Sequence, residues 1–284
     1  MAFASKFYRR EVVIDSLEDV EVLNRRCAGA KRLLGRTPRD YSKAPRCSSP
    51  HSLEFDIPLI PFNKMPELVK RKEANKTNLS NIVRYKKIPS LDQNGTNYCW
   101  CNAVITALES ERAARNLGYR KLSAASVAAR IKGYSNQGGW GGEALEFIIE
   151  HGVMPADLWP ENYWSSRKYN TDANRAEAMK YRVTKWYDLD ARNFQQLCTC
   201  CLLNIPVPIG LNWWSHEVCA FDVVVLEDDS LGIRIRNSWS GDWGDDGFSV
   251  LTRSKATPDD QCAPLSSVAT PTQRAASAGL VTAI

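Results

Sequence analysis

The sequence predicts an α+β protein in which a helical half precedes a sheet-rich half, with a cleft between the two. Apolar residues recur at helical spacing from Cys99 to about Gly152, whereas beyond Lys180 they gather in short runs that are typical of strands. Because the two kinds of segment follow each other rather than alternate, we expect the helices and the sheet to pack as separate layers.

Three helices are predicted in the first half. The first begins at Cys99, where apolar residues start to repeat at helical spacing, and ends before Gly118. The second covers residues 123–131, with its first serine as the N-cap. The third covers residues 143–150. A cysteine therefore stands at the start of a helix that we expect the core to bury.

Five short apolar runs predict the strands of the second half: residues 181–189, 206–214, 218–226, 231–237 and 248–252. A helical stripe over residues 193–203 interrupts them and carries Cys198, Cys200 and Cys201. These cysteines raise the hypothesis of a metal site, but no histidine and no second cysteine pair lies at zinc-site spacing. Core packing is favoured for them, and no metal or other cofactor is expected.

Two flanking segments lack the pattern of a packed domain. Residues 1–83 are predicted to form a basic N-terminal extension, with one amphipathic helix over residues 12–34 that glycine and proline at 35–38 would end. The recurring prolines after it predict irregular structure draped over a surface. Residues 255–284 form a tail rich in Ala, Ser, Thr and Pro that cannot build a core by itself. The predicted domain between them spans residues 84–254.

Charge divides the chain in a similar way. Residues 1–90 carry 19 Lys and Arg against 10 Asp and Glu, although the net charge of the whole chain is only +5. A basic arm can bind nucleic acid or an acidic protein surface. No aromatic-interleaved or zinc-type nucleic-acid motif accompanies this one, so a solvated extension is favoured and a nucleic-acid partner is not expected.

Composition and the N-terminal residues exclude further classes. No apolar run approaches the roughly 20 residues needed to span a bilayer, so a membrane-spanning protein is excluded. Lys6, Arg9 and Arg10 stand where a secretory signal would need its apolar core, so export by a signal peptide is not expected. The nine cysteines are odd in number and irregularly spaced, which predicts free thiols in a reducing, cytoplasmic compartment.

Cys99 is the candidate nucleophile. Unpaired backbone N–H groups and the helix dipole at a helix start favour an anion such as a thiolate, especially where a histidine accepts the proton. Of the three histidines, His51 lies in the extension and His151 at a predicted helix end, whereas His216 lies in an aromatic run at a strand entry. His216 is therefore the candidate base.

Three segments resemble those of the papain-like cysteine peptidases. The run Gln93-Asn94-Gly95-Thr96-Asn97-Tyr98-Cys99-Trp100 is similar to that family's active-site segment, and the run from Asn237 to Phe248 is similar to its asparagine segment. Asn136-Gln137-Gly138-Gly139-Trp140 resembles its glycine-rich substrate wall. Taken one at a time, the three segments are explained as well by structural roles: a buried cysteine, an asparagine in a turn and a glycine-containing loop. Their occurrence together, in the family's order Cys, His, Asn, favours the resemblance.

The resemblance implies a papain-like two-lobed fold, with an N-terminal helical lobe, a C-terminal antiparallel sheet or barrel lobe and the active-site cleft between them. It also implies a thiol-dependent endopeptidase that hydrolyses a polypeptide substrate through an acyl-enzyme on Cys99. His216 would carry the proton and Asn237 would orient the imidazole. Gln93 would donate to the developing oxyanion.

Four further residues are implied in substrate binding or in shaping the cleft. Gly138 and Gly139 would let an extended substrate backbone approach closely, because a side chain there would block pairing. Ser215 would border the cleft beside the histidine. Trp239 would shield the hydrogen bond between histidine and asparagine. A transglutaminase-like acyl transferase uses related chemistry, but typically with an aspartate as the orienting residue, so Asn237 favours hydrolysis.

The sequence also departs from the secreted members of the family. Thr96 stands where they carry a disulfide-bonded cysteine, which agrees with a reducing compartment. Compact versions without disulfides resemble enzymes of bacteria and bacteriophages. The family's propeptide pattern is not found in residues 1–88, so whether the extension is cleaved, inhibits or docks stays open. As an alternative, the chain is a virion-associated component of a larger assembly, with partner proteins at the extension and tail and with or without activity.

Overall fold

Seven strands form one sheet in the computed structural model, which describes residues 12–27, 32–42 and 57–266. In spatial order they are β1 (Val13–Ile14), β6 (Phe248–Leu251), β5 (Leu231–Arg236), β4 (His216–Val225), β3 (Val207–Leu211), β7 (Asp260–Ser266) and β2 (Val183–Leu189). β1 runs parallel to β6, and the other neighbouring strands are antiparallel. The α+β class is confirmed.

Eight α-helices accompany the sheet in the described part of the chain: α1 (Leu17–Arg26), α2 (Met65–Asn75), α3 (Leu79–Tyr85), α4 (Cys99–Ala114), α5 (Ala124–Ile131), α6 (Gly141–His151), α7 (Asp172–Ala178) and α8 (Phe194–Leu202). Short 3-10 turns occupy Phe62–Lys64 and Arg167–Tyr169. No helix among the described residues is both long enough and apolar enough to cross a membrane.

Helix α4 is packed on two faces, which fixes the position of its first residue. Cys101 and Leu108 on one face join the core that α4 shares with α5 and α6. Ala107 on another face joins a cluster with Phe221 and Phe248 of the sheet. Because side chains are buried along nearly the whole helix, burial of both faces holds it rigidly in place. Cys99 therefore starts from a well-anchored backbone.

The sheet positions the other two candidate catalytic residues. His216 is the first residue of β4, and Asn237 follows the last residue of β5. The two strands are antiparallel neighbours, with Cys219 of β4 opposite Arg236 of β5. The start of β4 and the end of β5 therefore lie side by side, which brings His216 and Asn237 together.

The predicted N-terminal helix over residues 12–34 is too long at both ends. Ser16 begins α1 by a capping box with Asp19, in which each side chain accepts a hydrogen bond from the other residue's backbone N–H. The helix ends at Arg26, and residues 32–39 form neither helix nor strand, only a single bridge. The glycine at position 35 does not end a helix, because the segment around it crosses the molecule's cleft.

The proline-rich region predicted as irregular contains two helices. Pro66 lies in the first turn of α2, where its missing N–H costs nothing. Helix α3 places Leu79 and Val83 in the cluster shared with α4 and the sheet. The core therefore begins before the predicted domain start at residue 84.

The predicted domain end at residue 254 is also too early. Strand β7 lies between β3 and β2, well inside the sheet. Its buried polar residues Asp260 and Gln261 hid it from a search for apolar runs. Both find partners elsewhere in the fold. Asp260 pairs with Arg36, and Gln261 donates to the carbonyls of Asp190 and Asn193. Residues 267–284 lie outside the described residues, as does His51.

The described cysteines are free thiols. Cys198, Cys200 and Cys201 are buried in the core between α8 and the sheet, and the described residues hold no cluster of metal-ligating side chains. Cys47 lies outside the described residues.

Candidate active site

Cys99 lies at the amino end of α4 and is completely buried. Burial raises the pKa of its thiol to about 12, and the Glu217 carboxylate adds to the rise. The nearby backbone N–H groups of Glu217, Gly35 and Trp100 oppose the rise. The sulfur is thus next to the residue that follows His216, and backbone N–H groups near it favour the thiolate.

His216 and Asn237 form a hydrogen bond of fixed polarity. His216 Nε2 lies 2.8 Å from Asn237 Oδ1, and the same oxygen accepts from the Ser238 backbone N–H at 2.8 Å. Because Oδ1 is an acceptor, Nε2 carries the proton, and Nδ1 is left as the acceptor of the neutral imidazole. Nδ1 has no hydrogen-bond partner among the described residues. The arrangement therefore leaves one ring nitrogen ready to take a proton.

Tryptophan rings enclose this pair. The ring centroids of Trp214 and Trp239 lie 4.9 Å and 4.7 Å from that of His216. Burial lowers the pKa of His216 to about 4, although the hydrogen bond that the ring donates to Asn237 opposes the shift. Trp239 is thus placed where the sequence predicted it, beside the imidazole, and the histidine is neutral at physiological pH in this form.

Gln93 is held beside the same site by a residue that the sequence interpretation did not single out. Its Oε1 accepts from the Ser238 hydroxyl at 2.9 Å, and its backbone N–H donates to the Ser238 carbonyl at 2.9 Å. Its amide nitrogen is therefore turned the other way and donates to the carbonyl of Leu33 at 2.8 Å. Ser238 thus links the orienting asparagine to the glutamine, and only its position directly after Asn237 could have suggested this.

The segment over residues 32–42, here called the strap, forms no helix and crosses the cleft against the glycine wall. The Gly139 N–H donates to the Gly35 carbonyl at 3.0 Å, and the Thr37 N–H donates to the Gly139 carbonyl at 2.8 Å. A Cβ on Gly138 would lie 2.5 Å from the Gly35 carbonyl oxygen. The glycine wall therefore contacts the backbone of the strap so closely that a side chain on the wall would collide with it.

Gly35 is the strap residue that faces the nucleophile. Its N–H lowers the pKa of the Cys99 thiol, and its carbonyl accepts from the Gly139 N–H. A Cβ on Gly35 would lie 1.9 Å from the Asn97 carbonyl oxygen, so only glycine fits there. The strap therefore lies directly against the segment that carries Cys99, with the Gly35 N–H near the sulfur.

Ionic contacts anchor the strap along its length. Arg32 pairs with Asp92 at 2.6 Å, and Arg39 pairs with Asp188 through two hydrogen bonds of 2.6 Å and 2.8 Å.

Ser215, which the sequence placed at the border of the cleft, is exposed. Its backbone N–H donates to the Asn212 carbonyl within the turn between β3 and β4. The structure therefore places Ser215 on the surface beside His216 and gives it no hydrogen bond to the strap.

Comparisons with known proteins agree with this architecture, although no family model matches the chain. Two curated relatives from Ananas comosus are ananain, 25% identical over 184 residues, and fruit bromelain, 24% identical over 192 residues. The matches cover 58% and 60% of this chain and 52% and 53% of the relatives. The chain therefore spans about half the length of the curated relatives it matches.

Solved structures give the same fold. Bromelain from Ananas comosus in complex with the E64 inhibitor is 21% identical, with a TM-score of 0.53 over 62% of this chain and 92% of that one. A recombinant stem bromelain precursor is 16% identical, with a TM-score of 0.57 over 87% of each chain. Xylellain, a cysteine protease from Xylella fastidiosa, is 18% identical, with a TM-score of 0.52 over 62% of this chain and 82% of its own.

The fold is that of the papain-like cysteine peptidases, and the resemblance drawn from the motifs is confirmed. Its bacterial or bacteriophage type stays a prediction. At these low sequence identities the solved structures support the fold alone. The activity therefore depends on the residues of the site.

Proposed function

We propose that this chain is a cysteine endopeptidase that hydrolyses peptide bonds through an acyl-enzyme on Cys99, and that the form described is latent because the strap covers its cleft. The observation that carries the proposal is the polarity of the His216–Asn237 hydrogen bond. It leaves His216 Nδ1 as a proton acceptor in a cleft whose nucleophile, Cys99, lies at a helix start.

The first half of the reaction transfers the acyl group to sulfur. Cys99 gives its proton to His216 Nδ1, and the sulfur attacks the carbonyl carbon of the substrate peptide bond. The carbonyl oxygen becomes an oxyanion that accepts from Gln93 Nε2 and from the Cys99 backbone N–H, each such donor being worth about 2.7–4 kcal/mol. The oxyanion then collapses, the C–N bond breaks, and His216 passes its proton to the leaving amine.

The second half releases the acid product. Water gives a proton to His216 Nδ1 as its oxygen attacks the thioester carbon, the C–S bond breaks, and the proton returns to sulfur. The strap supports the assignment of the oxyanion donor, because Gln93 Nε2 already holds a peptide carbonyl, that of Leu33. A peptide oxygen therefore fits that donor.

Latency follows from desolvation. With the strap in place, burial favours the neutral thiol and the neutral imidazole, so no thiolate–imidazolium pair forms. Departure of the strap admits water, which removes that penalty and lets the donors at the helix start stabilise the thiolate. Two neighbours that cover most of this chain, 87% and 90%, are a bromelain precursor and the digestive procathepsin L 3 of Tenebrio molitor. This agrees with an inhibitory role for the extension.

Mass spectrometry tests the proposal. The wild-type chain, a Cys99→Ala variant and a matched Cys101→Ala variant are treated with the epoxide E64 and incubated with a peptide library, before and after limited proteolysis of the strap. We expect labelling at Cys99 and peptide cleavage after proteolysis, both lost in Cys99→Ala and retained in Cys101→Ala. A folded, strap-cleaved chain that neither reacts with E64 nor cleaves any peptide would show that the fold serves another purpose.

A further inference from the structure

The side chain of Arg36 fills a buried anionic pocket beside the glycine wall. Its guanidinium lies 2.5 Å from the Asp260 carboxylate and 3.8 Å from the Glu217 carboxylate, and its Nε donates to Asn212 Oδ1 at 3.1 Å. The side chains of Arg36, Glu217 and Asp260 are 1%, 0% and 2% exposed. Two carboxylates thus share one guanidinium away from water.

Two glycines make room for this arrangement. A Cβ on Gly210 would lie 1.9 Å from Arg36 Nη1, and a Cβ on Gly141 would lie 2.4 Å from Glu217 Oε1. Neither glycine has a positive φ, so the backbone does not require glycine at these positions. The space they leave is therefore space for the guanidinium and its carboxylate.

The pocket holds two carboxyl groups against a single guanidinium. Neither oxygen of Glu217 has a hydrogen-bond partner among the described residues. Burial raises the pKa of this carboxyl well above its usual range, and Arg36 opposes the shift. An isolated buried carboxylate is costly, and a cationic donor reaching between the two acids relieves that cost. The pocket therefore selects a cation, and a planar guanidinium bridges two carboxylates better than an ammonium does.

The pocket lies where a substrate side chain would enter. The strap residue at the Cys99 sulfur is Gly35, and the next residue, Arg36, is bridged to Gly139 of the wall. The strap thus runs parallel to the wall. A substrate peptide bound in the opposite, antiparallel direction can turn a carbonyl towards the sulfur, while the side chain of its neighbouring residue enters the same pocket.

We infer that this pocket selects an arginine side chain of the peptide substrate, with Glu217 and Asp260 as the residues that determine specificity and Arg36 as an internal occupant. The inference rests on the proposed peptidase function. It identifies the substrate class as peptides with arginine at the residue adjacent to the one whose carbonyl is attacked.

A position-scanned set of fluorogenic peptide amides tests the inference on the full-length Arg36→Ala chain, in which the pocket is vacated. Arginine, lysine, leucine or citrulline, the neutral isostere of arginine, is placed in turn at each residue before the reporter. The comparison that decides is made at the residue directly before the one that carries the reporter. There we expect kcat/KM for the arginine peptide to exceed that for the citrulline peptide by about 10- to 100-fold. Glu217→Gln and Asp260→Asn should remove the preference, whereas Glu143→Gln, a nearby carboxylate paired with Lys132, should retain it. Arg36→Gln replaces Arg36→Ala if the latter does not fold.

A second readout does not need hydrolysis. The same peptides are tested for protection of Cys99 against alkylation by iodoacetamide, and we expect protection by the arginine peptide at concentrations where the citrulline peptide gives none. Cleavage without an arginine preference, or with a preference that survives both pocket variants, overturns the inference and leaves the peptidase proposal standing. The same assays are repeated after limited proteolysis of the strap. There, selective protection without cleavage overturns the peptidase proposal, and the absence of both overturns the two together.

Discussion

Replacing Arg36 by alanine should open the latent form. Removing one partner of a buried ion pair costs about 3–5 kcal/mol when the other charge stays buried. Here the strap can lift and let water reach Asp260 and Glu217, so a smaller loss of about 2 kcal/mol in closing free energy is expected. Since about 1.4 kcal/mol is a factor of ten, the open fraction should rise about 30-fold.

The rate of Cys99 alkylation by iodoacetamide, followed by mass spectrometry, measures this opening. Cys99 is completely buried in the closed form, so its labelling follows the population of the open form. Arg25→Ala, which removes an exposed cation of α1, is the matched control and should label at the wild-type rate. Gly35→Ala should also accelerate labelling, because its Cβ would collide with the Asn97 carbonyl. If Arg36→Ala and Gly35→Ala both label at the wild-type rate, the strap does not close the cleft.

Three further predictions concern the strap-cleaved or opened enzyme and its latent parent. Asn237→Ala should lower kcat about 100-fold or more with little change in KM, because the His216 tautomer is no longer fixed; steady-state kinetics with the thermal midpoint as control measures it. Ser238→Ala should lower kcat about tenfold through loss of the Gln93 contact, and an unchanged kcat in a folded variant would refute that positioning role. The Cys99 thiolate absorbance, taken as the difference from a Cys99→Ala partner, should be absent from pH 6 to 9 in the latent chain, because burial raises the pKa to about 12, and should appear within that range in Arg36→Ala.

Much of the fold could be predicted from periodicity. The helix that begins at Cys99 and the five predicted strands of the second half all exist, within a few residues of their predicted ends. Strand β7 could not be predicted this way, because Asp260 and Gln261 are buried through partners distant in sequence. The predicted helix was longer than α1 because Leu33 and Leu34 continue a helical spacing, yet the Leu33 carbonyl accepts from Gln93 instead of from a helical neighbour.

The candidate site divides along the same line. Cys99, His216, Asn237 and Gln93 were predicted from local motifs. The structure places His216 against Asn237 and Gln93 against the adjacent Ser238. The roles of Ser238 and Arg36 depend on contacts across 145 residues or more, which no local pattern reveals. The contact between Arg36 and Asn212, for example, joins residues 176 positions apart.

The two proposals made for the pocket around Arg36, latency and specificity, depend on the same residues. If the same two carboxylates hold the strap and select the substrate, then a change that weakens one function weakens the other, because both depend on one guanidinium in one buried site. Glu217→Gln should therefore open the latent chain and reduce the arginine preference together. A peptide with arginine at the selected residue competes directly with Arg36 for the pocket, so the substrate itself favours the open form by mass action. The enzyme would then be held closed most firmly where its own substrate is scarce.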